Sequence, residues 1–117
     1  MNKKNGLERL KSKNQIDFVF KKGKAVRSGA LIMHFFNPKE EAKKTHIGVG
    51  VSKKSILLAY RRNRIKRQIR AMIIQQEKEL LYYLPPGFYM VLYKGKFSVS
   101  FKSLFQDFQG LINSFAG

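Results

Sequence analysis

The sequence predicts an α+β fold: a two-layer sandwich in the order α-β-β-β-α-β-α, with helices laid on a sheet of about four strands. Three observations lead there. Residues 45–52, Thr-His-Ile-Gly-Val-Gly-Val-Ser, alternate with the period of two that a half-buried strand requires. Residues 101–115 carry Phe101, Leu104, Phe105, Phe108, Leu111, Ile112 and Phe115 at helical spacing, an aromatic stripe that reads as core. Between them, residues 51–72 hold eight Lys and Arg and no acid, and on a helix at about 100° per residue Leu58, Ile65, Ile69 and Met72 share a narrow sector.

In chain order, residues 1–11 are polar and basic and read as a mobile basic arm. Ser12 or Asn14 can cap a short helix that ends at Gly23, a residue suited to a left-handed C-terminal position. Ile16, Val19 and Phe20 share one face of it, and Phe18 points nearly opposite. Residues 25–36 read as one strand, or as two joined at Ser28-Gly29, bounded by Asn37-Pro38. A polar turn over 37–44 precedes the alternating strand. That strand turns Ile47, Val49 and Val51 to one side and His46, Gly48, Gly50 and Ser52 to the other, a face bare enough for another backbone to approach. Ser52 or Ser55 caps the basic helix, which runs to about Leu80. Pro85-Pro86-Gly87 stops it, Phe88–Tyr93 is apolar throughout and reads as a central strand, and Lys94-Gly95-Lys96 makes a turn. Ser98 or Ser100 opens the last helix.

Composition narrows the function. The chain of 117 residues fits one domain, 1–117, and its net charge of +17, from 24 Lys and Arg against 7 Asp and Glu, calls for a polyanionic partner, with a phosphate backbone favoured over an acidic membrane surface. Cysteine is absent, which removes disulfides and thiolate metal sites. No apolar segment has the form of a signal peptide or a membrane span, so a cytoplasmic location is expected. His34 and His46 stand alone on strands, Asp17 and Asp107 lack a neighbouring carboxylate, and Gly48-x-Gly50 lacks the third glycine of a dinucleotide fingerprint. Catalysis by side chains is therefore not expected. The basic helix is the informative stretch: Arg62, Lys66 and Arg70 form one stripe, Asn63 and Arg67 a second, and Arg61 and Arg64 add to the charge. Guanidinium forks suit phosphate, and Asn63 can reach a phosphate, a base edge or a sugar hydroxyl.

Ser52-Lys53-Lys54, a short spacer and Arg61-Arg62-Asn63-Arg64-Ile65-Lys66-Arg67-Gln68-Ile69-Arg70 resemble the signature of the bacterial ribonuclease P protein component. Arg9-Leu10-Lys11, Val19-Phe20, Gly23 and Ile47–Lys54 fit the same family, over residues 7–115. The resemblance implies a protein that assists magnesium-dependent removal of the 5′ leader from precursor tRNA. Catalysis would rest with the RNA subunit, and magnesium would be held mainly by that RNA and the substrate. It also implies a left-handed βαβ crossover around the basic helix, where the general rule for such units is right-handed. Arg61, Arg62, Asn63, Arg64, Lys66, Arg67 and Arg70 would hold the ribozyme. Ile16, Phe20, His34, Lys53 and Lys54 would line the leader cleft, with ribonuclease P RNA and precursor tRNA as partners of a monomeric protein in a one-to-one complex. The sequence departs from the family where Ile16 replaces an aromatic residue, His34 stands where tyrosine is common, and the spacer 55–61 lacks a Gly-Asn pair. A structural RNA-binding protein such as a ribosomal component, and a DNA-binding module with its helix in the major groove, are the competing classes.

Overall fold

The computed structural model describes residues 7–38, 44–95 and 100–115. They form β1 (Leu7–Arg9), α1 (Lys13–Lys22), β2 (Lys24–Ser28), β3 (Leu31–Phe36), β4 (Thr45–Val51), α2 (Ala59–Gln75), α3 (Glu77–Tyr83), β5 (Gly87–Tyr93) and α4 (Phe101–Asn113). The strands make one sheet in the order β1-β4-β5-β3-β2. β5 is central, as its unbroken apolar run requires: it pairs parallel with β4 and antiparallel with β3. The parallel β4–β5 connection runs through α2 and α3.

The strand registers sort the side chains into two faces. Leu31, Met33, Ile47, Tyr89, Val91 and Tyr93 belong to the main core, with Val49 and Val51 packed against it. Ile65, Ile69, Met72 and Ile73 of α2 and Leu104, Phe108, Leu111 and Ile112 of α4 close that core from above. Each such side chain, fully buried, stabilises the fold by about 1.5–3 kcal/mol. The alternate positions (His34 and Phe36, Gly48 and Gly50, Met90 and Leu92) form the second face, which α1 crosses with Val19 fully buried beneath it.

Several side chains fix the connections. Asp107 of α4 accepts a hydrogen bond from the Ala30 amide (3.0 Å), anchoring the β2–β3 turn, where Gly29 has φ +57°. Asn37 donates to the carbonyls of Pro85 and Pro86 and to the Tyr89 hydroxyl, pinning the approach to β5. Burial pushes the Tyr89 hydroxyl up to about 12, against the opposing effect of its hydrogen bond with Asn37.

The structure corrects the sequence reading at four places. The sheet has five strands among the described residues, because Leu7–Arg9, expected in a mobile arm, pairs parallel with Thr45–Ile47. The Leu10 amide extends that pairing to the Ile47 carbonyl, Leu10 is buried, and Lys44 and Glu8 form an ion pair at 3.2 Å. Residues 1–6, the rest of that arm, lie outside the described residues, as do 39–43 of the polar turn, Lys96 and Ser98.

Gly23 is not left-handed: its φ is −85° with ψ 179°. It is needed for close approach instead, since a Cβ there would lie 2.5 Å from the Val19 carbonyl and closer still to that of Phe35. Neither Ser52 nor Ser55 caps the basic helix. Ser52 Oγ instead accepts from the Lys54 amide (3.1 Å), and α2 starts at Ala59 behind Leu58, with no side-chain cap and Leu58 half exposed. Finally, the helix does not run unbroken to Leu80. It breaks at Gln76, where the Gln76 side chain accepts from Gln109 of α4 (3.0 Å), and α3 follows. At the starts of α1 and α4 expected caps are in place, Ser12 on the Gln15 amide and Ser100 on that of Ser103.

Candidate nucleic-acid interface

Two regions collect the residues singled out from the sequence. The first is the outer face of α2. Ile65, Ile69 and Met72 seat the helix on the sheet, so Arg61, Asn63, Arg64 and Arg67 are left exposed and Lys66 half-buried at the flank. No acidic residue occurs between Glu41 and Glu77, so nothing on this helix neutralises the row. Its N-terminal amides, unserved by any side-chain cap, add positive potential at the same end.

Two members of the expected ribozyme set behave differently. Arg62 is half-buried, and its Nη1 donates to the Ile56 carbonyl at 2.7 Å and the Leu57 carbonyl at 2.8 Å. It holds the spacer in place, which leaves Nε and Nη2 for an outside partner. The sequence does carry the signal: Arg62, Ile65 and Ile69 are spaced i, i+3, i+7, on the buried side of the helix. Arg70, at the other end, lines a cleft of about 650 Å³ with Leu10, Ile16, Gly48, Ile73 and Met90. It therefore stands with Ile16 of the expected leader set.

The second region is the groove where α1 crosses the sheet. Phe20 meets His34 edge-on with ring centroids 4.8 Å apart, and on the other flank of the helix Phe18 meets Phe36 in the same way, also at 4.8 Å. Phe20 and Phe18 each keep a large exposed fraction, 39% and 44%, so these rings present open faces and edges. His46 stacks on Phe88 at 5.1 Å, which extends the aromatic surface along β4 and β5. Sequence reasoning missed Phe36 and Phe88 as groove residues.

It also missed Lys94. Burial, and secondarily the Lys94 charge, lower the pKa of His34 from its ordinary value of 6.5, so the imidazole is neutral at pH 7. Lys94 follows β5, and Lys53 and Lys54 follow β4. Because Val51 pairs with Tyr93, all three cations come to the same end of the sheet. Lys53 and Lys54 are exposed there.

Both histidines are thus engaged with aromatic rings, and among the described residues no three His, Cys, Asp or Glu side chains gather as a metal-holding group. No helix among the described residues is long and apolar enough to cross a membrane. A cationic helix on one face of a sheet and an aromatic groove on the other define a nucleic-acid-binding α+β protein.

Comparison with known proteins makes the assignment specific. The family model for ribonuclease P matches residues 4–116. The ribonuclease P protein component of a Nitratiruptor species is 34% identical over 103 residues, covering 87% of this chain and 86% of that protein. The chain belongs to the ribonuclease P family, as a protein component of that tRNA-processing ribonucleoprotein. Two solved structures agree in fold. The Staphylococcus aureus RNase P protein has a TM-score of 0.74 at 21% identity, over 91% of this chain and 93% of its own. That from Thermotoga maritima has 0.73 at 22%, over 94% and 99%.

Proposed function

We propose that the exposed cations of α2 bind ribonuclease P RNA while the groove between α1 and the sheet holds the single-stranded 5′ leader of precursor tRNA. Hydrolysis of the phosphodiester then falls to the RNA subunit. Magnesium is held mainly by that RNA and the substrate. The protein acts as one copy per RNA, in the cytoplasm, by raising affinity and placing the leader so that the scissile bond meets the RNA's reactive site.

The observation that carries this reading is the separation of the two surfaces. α2 and α4 cover one face of the sheet and α1 crosses the other, so one protein can hold a structured RNA and a single strand at the same time. The groove suits a single strand. Rings at Phe20 and His34 offer stacking to unpaired bases, and Lys94, Lys53 and Lys54 offer charge to the backbone that follows. Arg61, Arg64 and Arg67 contact phosphate on the RNA subunit, and Arg62 contributes mainly by fixing the segment before them.

The test is reconstitution with a ribonuclease P RNA and precursor tRNAs of graded leader length. Protein should lower the magnesium needed for cleavage and tighten binding only while the leader reaches the groove. Cleavage and affinity unaffected by the protein at moderate salt would overturn the proposal.

A further inference from the structure

We infer that Tyr60, with Leu57 and Leu58, forms a second base-stacking contact, to an unpaired nucleobase of the RNA subunit at the N-terminal end of α2. This rests on the reading that α2 binds that RNA, and it adds a contact that charge alone does not supply.

The segment is built, and it is exposed. Ile56 is buried and anchors it, the Ile56 amide bonds to the Ser52 carbonyl at 3.0 Å, and the Arg62 guanidinium ties down the carbonyls of Ile56 and Leu57. On this fixed base Leu57 is 81% exposed, Tyr60 64% and Leu58 49%. Three large apolar side chains held outward together are an unusual cost for a soluble surface unless something covers them.

The surroundings choose the occupant. Lys53, Lys54, Arg61 and Arg64 are all exposed nearby in the chain, with no acid between Glu41 and Glu77. A second copy of the protein would bring this charge against itself, whereas RNA complements it. Arg61 fixes what kind of RNA contact is possible. Its Nε donates to the Tyr60 hydroxyl at 3.3 Å and its guanidinium carbon lies 5.9 Å from the Tyr60 ring centroid. The cation thus sits at the hydroxyl end of the ring, where it steadies the side chain and leaves a ring face for a flat partner. A base stacked in a duplex cannot offer its face; one in a bulge or loop can.

The experiment measures equilibrium binding of ribonuclease P RNA across a salt series, with chemical probing of base accessibility, for wild type, Tyr60→Ala, Tyr60→Phe and Tyr82→Ala. Tyr82 is a control because it is 80% exposed but sits in α3 among Glu77 and Glu79. Tyr60→Ala should weaken binding by about 5- to 100-fold with an unchanged salt slope, and should open one unpaired base to modification. Tyr60→Phe and Tyr82→Ala should bind like wild type. Wild-type affinity in Tyr60→Ala, a loss of equal size in Tyr60→Phe, or a change confined to the salt slope would overturn the inference. Self-association that Tyr60→Ala abolishes would assign the patch to a second copy instead. A wild-type protein that fails to bind this RNA would overturn the proposed function itself, which keeps the two failures distinct.

Discussion

Replacing Arg62 with alanine should cost fold stability as well as RNA affinity, which separates it from the neighbouring arginines. Its guanidinium makes two charge-assisted bonds, to the part-buried Ile56 carbonyl at 2.7 Å and the more exposed Leu57 carbonyl at 2.8 Å. A hydrogen bond to a charged group contributes about 1.5–3 kcal/mol, and less where water can replace it, so the pair together supplies about 2–3 kcal/mol. For a chain of 117 residues, 1 kcal/mol moves Tm by about 4 °C, so Arg62→Ala should melt about 10 °C below wild type. Arg62→Lys should recover only part of this: one ammonium nitrogen can donate to two carbonyls as Nη1 does, but it sits on a shorter side chain and is more strongly hydrated. Arg64→Ala, at an exposed position, should stay within about 0.5 kcal/mol. Thermal and urea unfolding of the three variants decide the matter. A Tm for Arg62→Ala within about 2 °C of wild type, alongside an RNA-binding loss equal to that of Arg64→Ala, would refute the tethering role.

Three further outcomes are expected. Gly23→Ala should destabilise by about 2–4 kcal/mol, since the added methyl collides with two backbone carbonyls that cannot swing away, and urea midpoints read this directly. Arg64→Ala should weaken RNA binding and reduce the slope of log affinity against log salt by about 1, measured by filter binding over a salt series. The third concerns pH. Burial lowers the folded-state pKa of His34, so the unfolded chain takes up the proton first as pH falls. His34 therefore contributes stability that is fully present above pH 6.5 and is lost as pH drops through the lowered folded value. Melting of wild type and His34→Phe should diverge in that window, with the variant losing less on acidification; parallel curves would contradict it.

The sequence exposes those parts of the fold that local pattern governs. β4 and α4 are visible in their periods of two and 3.6 and β5 in its unbroken apolar run, while Ser28-Gly29 leaves 25–36 open between one strand and the two, β2 and β3, that form. What stayed hidden depends on partners distant in sequence. β1 is three residues long with Glu8 and Arg9 exposed, and only pairing with β4 makes it a strand. Ser52 looks like a helix cap, but its hydroxyl is taken by the Lys54 amide, and the start of α2 is then set by Arg62 reaching back to the spacer. Gly23 reads as a left-handed residue because that is glycine's common use at helix ends; its actual use, closeness to the Phe35 carbonyl, requires knowing that β3 lies there. The site follows the same division. Exposure of Asn63 and Arg67 follows from helical spacing, which sets them away from Ile65 and Ile69. The Phe20–His34 contact, the proximity of Lys94 to His34 and the sharing of one cleft by Arg70 and Ile16 all arise from how the helices are placed on the sheet.

The most direct test of the two-surface account is a leader-length series with wild type and Phe20→Ala, each assembled on ribonuclease P RNA. Phe20→Ala should leave assembly and leaderless tRNA binding unchanged while it weakens affinity for leader-bearing tRNA by about 5- to 100-fold, the loss of one stacked base. Equal losses for leader-bearing and leaderless tRNA would contradict the assignment of the leader to the α1 groove.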